Sequence, residues 1–237
     1  MPDKIDKVAE SIAVASEQIR QKLIQFFLDE YSQVNDINAA VQKIASTNIT
    51  ELILKDFGLG KELNRAMALY PGIVNDVRKQ IGRVDGTMAS NLKLVDESYL
   101  ANHVRDVGGD LTRVLTQSVV SDLSTAQMKQ ILLDSTTRLR DYQINALVNT
   151  TVRDYSSAVF ADNAKKFLPD TAKYLYVGPN DGKTREACKC YLGWQEPGGM
   201  TMEEINGNPC GVDFVHRGGW NCRHEFSLVF DSVKDKI

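Results

Sequence analysis

From the first residues, apolar side chains recur at three- and four-residue steps. Ile5, Val8, Ile12, Ala15, Ile19, Leu23 and Phe26 fall on one helical face. The pattern predicts a first helix that runs nearly to residue 30. Such a stripe packs inside its own fold or against a neighbouring subunit, and internal packing is the simpler reading. Shorter helices are predicted around 36–46, 49–56, 60–70 and 73–82, punctuated by Gly58, Gly60, Pro71 and Gly86. Ser124-Thr125-Ala126-Gln127 reads as a capping box, with Gln127 placed to reach back to the Ser124 amide. From Leu139 to Phe167 the positions Ile144, Leu147, Val148, Thr151, Tyr155, Ala158 and Val159 share one side of a single long helix. Pro169 stops that helix, and Tyr174-Leu175-Tyr176-Val177 reads as a strand.

The expected fold is mostly α. Long helices fill residues 1–168, and a small α+β module with a short antiparallel sheet occupies 169–237. Composition supports the division: all four Cys, both Trp, four of six Pro and nine of sixteen Gly lie after residue 168. A module of that size rarely holds itself together by apolar burial alone, and it calls for a metal, a disulfide or packing on the helical part.

Charge narrows the function classes. The chain carries 28 Lys/Arg against 31 Asp/Glu, with 20 against 21 in residues 1–168. No basic excess marks either part, so DNA contact is not expected to dominate. No apolar run approaches the length of a membrane span. The N-terminus lacks the pattern of a signal peptide, which predicts synthesis in a reducing cytoplasm. There, clustered cysteines point to metal or to chemistry more often than to disulfides.

Candidate chemistry gathers at the C-terminal end. Cys188-Lys189-Cys190 and Cys222-Arg223-His224 share a ligand-x-ligand spacing. On extended backbone, residues i and i+2 face the same way, so two such pairs on adjacent strands would converge as four zinc donors. Cys188, Cys190, Cys222 and His224 are therefore the expected ligands of a structural Zn2+, with Cys210 and His216 as alternates. Two disulfides, or four buried thiols acting as small hydrophobes, remain open on the same residues. Two catalytic readings are weaker. Gly178 to Thr184 approaches a phosphate-binding loop, but it is one residue short, and it holds Pro179 and Asp181 where amides should face an anion. A Cys/His nucleophile pair has the residue types it needs, yet no thiol is singled out.

The stretches "YLYVGPNDGKTREACKCYLGW" and "FVHRGGWNCRHEF" resemble the minor head protein family of tailed bacteriophages, the Mu F-like head-morphogenesis domain. Tyr176, Asp181, Thr184, Arg185, Cys188, Gly193, His216, Asn221, Cys222 and Arg223 carry the likeness, which extends over roughly residues 110–230. The chain departs from that pattern at Asn149-Thr150-Thr151, in the C-x-C spacing, at His224 in place of a final Cys, and in the loop from Trp194 to Val215. The resemblance implies a non-enzymatic minor structural protein of the virion, bound to the portal, the major capsid protein or further copies of itself. A metal-dependent nuclease or toxin-like enzyme, and a zinc-stabilised adaptor, stand as alternatives. Arg223 is expected to pair with a carboxylate such as Asp181.

Overall fold

The structure, a computed structural model, describes residues 2–31 and 35–232, so residues 233–237 of the expected module lie outside the described residues. Among the described residues there are ten α-helices and three strands: α1 Pro2–Tyr31, α2 Ile37–Ser46, α3 Ile49–Glu51, α4 Leu59–Met67, α5 Tyr70–Ile81, α6 Thr87–Val120, α7 Thr125–Ser135 and α8 Asp141–Phe167 precede β1 Lys173–Val177, α9 Glu186–Trp194, β2 Met200–Thr201, α10 Met202–Asn206 and β3 Glu225–Leu228. A π-helical turn, Leu52–Asp56, continues α3. Local signals account for many of the ends. The Asp36 carboxylate accepts the Ala39 amide at 3.0 Å and starts α2. Both halves of the capping box form at Ser124 and Gln127. Pro71 lies in the first turn of α5, and Gly82 ends that helix at φ 83°, a left-handed cap that suits glycine.

The chain forms two compact units. One comprises, among the described residues, 6–31, 35–67 and 95–148. Its interior holds Ile12, Leu23, Ile53, Leu59, Val104 and Leu111, all fully buried. Of the α1 stripe, Ile12, Ile19 and Leu23 are buried in this unit, Val8 and Ala15 are half-buried, and Phe26 is exposed. Close approach of α6 to α3 depends on Gly108, where a Cβ would lie 2.4 Å from the Thr50 hydroxyl oxygen. Buried polar groups are paired: Ser16 Oγ donates to the Leu139 carbonyl at 3.0 Å, and Arg20 donates to Thr136 Oγ1 and the Leu133 carbonyl at 3.0 Å each.

The second unit comprises 2–5, 68–94 and 149–232. Its sheet has the order β2-β1-β3 with both pairings antiparallel, and sets Tyr174 opposite Leu228 and Tyr176 opposite Phe226. Alternation along β1 sends Tyr174 and Tyr176 inward while Val177 stays exposed. On that inner face Phe160 of α8 packs edge-on to Tyr174 and parallel to Phe214, and Phe214 stacks on Phe226 with ring centroids 4.8 Å apart. Each such pair contributes about 0.5–1.5 kcal/mol beyond its buried area.

Two expectations change here. The break at Pro169 is a change of secondary structure inside this unit. The sheet and its loops lean on α8 at Thr150, Asp154 and Phe160, because so short a segment cannot cover its own aromatic face. And α8 is buried on most sides: Val152, Tyr155, Val159, Ala161 and Ala164 are covered along with the polar Asn163 and Arg153. A helix at the centre of a core needs no polar face.

Candidate metal centre

The turn from β1 into α9 builds one wall. Gly178 follows the strand, and a Cβ there would lie 2.5 Å from the His224 ring, so the imidazole occupies the space a side chain would take. In the loop, Thr184 Oγ1 donates to the Pro179 carbonyl at 2.8 Å and accepts the Asp181 amide at 2.9 Å. The Lys183 amide donates to Asp181 Oδ1 at 2.9 Å. The loop therefore closes on its own carboxylate and keeps no cradle for phosphate. Arg223 grips Asp181 with both arms, Nη1 to Oδ2 at 2.9 Å and Nη2 to Oδ1 at 2.6 Å. The Arg223 hydrogen bond first, and the Lys183 amide second, hold the Asp181 carboxyl well below the usual carboxylate range.

The second wall is the coil from Arg217 to His224. Arg217, Gly219 and Asn221 all adopt positive φ, at 57°, 86° and 53°. This winding aims the amides of Gly218 and His224 at Cys222 Sγ. Two anchors fix the coil to α8. The buried Arg217 guanidinium donates to Asp154 and, at 3.0 Å, to Ser157 Oγ, and the Asn221 amide donates to Thr150 Oγ1 at 2.8 Å. Arg185, the N-cap of α9, donates to the Gly218 carbonyl at 2.9 Å.

Between the walls, Cys188, Cys222 and His224 meet, all three buried, with one donor atom of each within 4.8 Å of the others. The sulfurs are 3.8 Å apart, and His224 Nδ1 is 3.8 Å from Cys222 Sγ. A tetrahedral ion with metal–sulfur bonds of about 2.3 Å holds two sulfurs about 3.8 Å apart, so the sulfur pair is spaced as zinc requires. The Tyr176 hydroxyl touches both sulfurs, at 3.4 Å from Cys188 and 3.2 Å from Cys222, and its ring stacks on His224. Gly218 presses on the same point: a Cβ there would lie 2.2 Å from Cys188 Sγ.

Electrostatics distinguish the thiols. Burial raises both, but at Cys222 the Tyr176 hydroxyl, the two amides and the Arg217 guanidinium outweigh it and bring the thiol below its ordinary value. Cys188 is raised, chiefly by burial. Burial also lowers the His224 pKa, opposed by the Pro179 carbonyl. Its Nε2 is buried and makes no hydrogen bond of ordinary geometry. The lowered His224 and Cys222 favour the protonation state that a metal requires, whereas ionising Cys188 falls to the cation itself.

The expected four-ligand set is corrected at one position. Cys190 is bonded to Cys210, one of the two alternates, in a disulfide. The reason is backbone period. Residues 186–194 are helical, so residues two apart point about 200° from each other, and Cys188 faces inward while Cys190 is exposed. His216, the other alternate, is exposed and meets Asp213 Oδ2 at 3.2 Å, away from the cluster. Tyr176 and Gly218 are the site residues that spacing did not assign to the centre. Tyr176 belongs to the predicted strand and to the family likeness, and Gly218 carried no expectation. No family model, curated protein or solved structure matches the chain.

Proposed function

We propose that the chain is a minor structural protein of a tailed-phage head, acting in head morphogenesis at the portal or the inner capsid wall. The observation that carries this reading is the closure of the motif on itself. Asp181, Arg185, Cys188, Cys222 and Arg223, the residues that carry the resemblance, are far apart in sequence yet form one connected set through the Asp181–Arg223 pair, the Arg185–Gly218 bond and the sulfur pair. A likeness produced by chance has no reason to assemble into a single site. A metal held by Cys188, Cys222 and His224, which we assign as zinc, would cross-link the strand turn, α9 and the coil before β3. Zinc contributes rigidity to such a module. Near-neutral charge favours protein partners, the portal, the major capsid protein or further copies of this chain, over packaged DNA.

The enzymatic alternative needs a general base beside the metal. Among the described residues the cluster contains no carboxylate, and Asp181 is engaged by Arg223. Peptide mass spectrometry of purified particles and of empty heads tests the proposal. The chain is expected in both at low copy number, and disruption of its gene is expected to give misassembled heads. Absence from purified heads, with normal assembly after disruption, would overturn it.

A further inference from the structure

The three ligands leave a metal one position short. Closed structural zinc sites take four protein donors, whereas three protein donors leave a place for an exchangeable ligand. Among the described residues no fourth Cys, His, Asp or Glu donor joins Cys188, Cys222 and His224. Cys190 is committed to its disulfide, and His216 points elsewhere.

Space adjoins the three donors. A cavity of about 20 Å³ is lined by Cys188, Cys222 and His224 together with Lys183, Arg185 and Asn221. A volume of about 10–15 Å³ already admits one water-sized group. The side chains at its mouth are basic and exposed, and among the described residues Lys183 and Arg185 have no carboxylate partner in an ion pair. Arg223, the third cation, is neutralised by Asp181.

We infer that the metal centre is open: its fourth position faces this cavity and takes a small monoanion, drawn in by Lys183 and Arg185. This rests on the metal reading above. Tyr176 is the rival fourth donor, since its hydroxyl lies 3.4 and 3.2 Å from the two sulfurs. Those distances suit a hydroxyl hydrogen-bonded to sulfur and equally a fourth donor on a shared tetrahedral ion, and the Tyr176→Phe variant below decides between the two roles.

Cobalt(II) substitution of the full-length protein, followed by titration with azide at constant ionic strength, tests the inference. Cobalt bound by two thiolates gives near-ultraviolet charge-transfer absorption, and its visible ligand-field bands respond to a change of fourth ligand. The expected result is cobalt–thiolate absorption, lost in Cys222→Ser, and a saturable shift of the visible bands at one azide per metal. Lys183→Ala, at an exposed position, should weaken azide about threefold, the size of one screened unit charge, and leave cobalt binding unchanged. Cobalt–thiolate bands indifferent to azide would overturn the open position and leave the metal centre standing. If Tyr176→Phe then confers an azide response, the hydroxyl is the fourth donor. Absence of cobalt–thiolate absorption in folded protein would overturn both readings.

Discussion

At Gly218 the absent side chain is a requirement set by sulfur. An alanine methyl there would overlap Cys188 Sγ at 2.2 Å. Gly218→Ala should therefore cost about 1–3 kcal/mol in urea unfolding and reduce bound zinc. Gly193→Ala, in α9 with nothing within 4 Å of the added Cβ, should be neutral or stabilising by up to about 1 kcal/mol. Equal losses from both substitutions would argue against this packing. His224 gives a pH signal in metal-free protein. Its folded pKa is depressed by burial, so its contribution is complete above the unfolded value of about 6.5 and is lost as pH falls through the window below that. The urea midpoint should decline from about pH 7 to about pH 5, and His224→Gln should flatten the decline. Some of this scale was legible beforehand. The spacing of Ser124 and Gln127 contains its own geometry, and a loop aspartate is a natural partner for Arg223. Gly218 was not legible, because its neighbours are 30 positions away in sequence and known only once the coil is wound.

The elements were easier to read than the faces they present. Helix periodicity located α1 to α5 and α8 within a few residues, since burial on one side leaves a repeating trace in the sequence. A capping box marked the start of α7, whereas α6, Thr87–Val120, carried no expectation. For α9 the trace was too short. "EACKCYLGW" has apolar and small residues at both two- and three-residue steps, and taking the two-residue period put Cys190 beside Cys188. The helical period instead assigns Cys190 to a covalent tie with Cys210. The closed loop spans a sequence separation of 20, for which chain entropy predicts about 3 kcal/mol. Replacing both partners by serine should lower stability by about that amount while zinc stoichiometry is unchanged. Loss of zinc in this double variant would return Cys190 or Cys210 to the metal.

On the scale of the whole chain, covalent order and compact units disagree. The strands, α9 and the coil share a unit with residues 68–94 and with α8 from residue 149 onward. Composition alone placed the division at residue 168, because a change in Gly, Pro and Cys content marks where helices stop and carries no record of what packs on them. Phe160, Asp154 and Thr150 are the specific debts of the coil and sheet to α8. Chelation should accordingly raise amide hydrogen exchange in 176–228 and leave α6 and α7 amides within 95–135 at their original rates. Uniform acceleration along the chain would show that the metal supports the entire molecule.

The helical placement of Cys188 and Cys190 bears on how the chain matures. Two thiols separated by one residue would ordinarily be rivals for the same oxidant and the same ion. Once α9 has formed, its turn sorts them: one sulfur is carried to solvent, where Cys210 meets it, and the other is carried to the interior. Cross-pairing of Cys188 with Cys210, or capture of the ion by Cys190, would require the helix to unwind. Fidelity in thiol partnering is thus delegated to nine residues of secondary structure, and a single-residue insertion between the two cysteines would scramble the sorting without altering any donor.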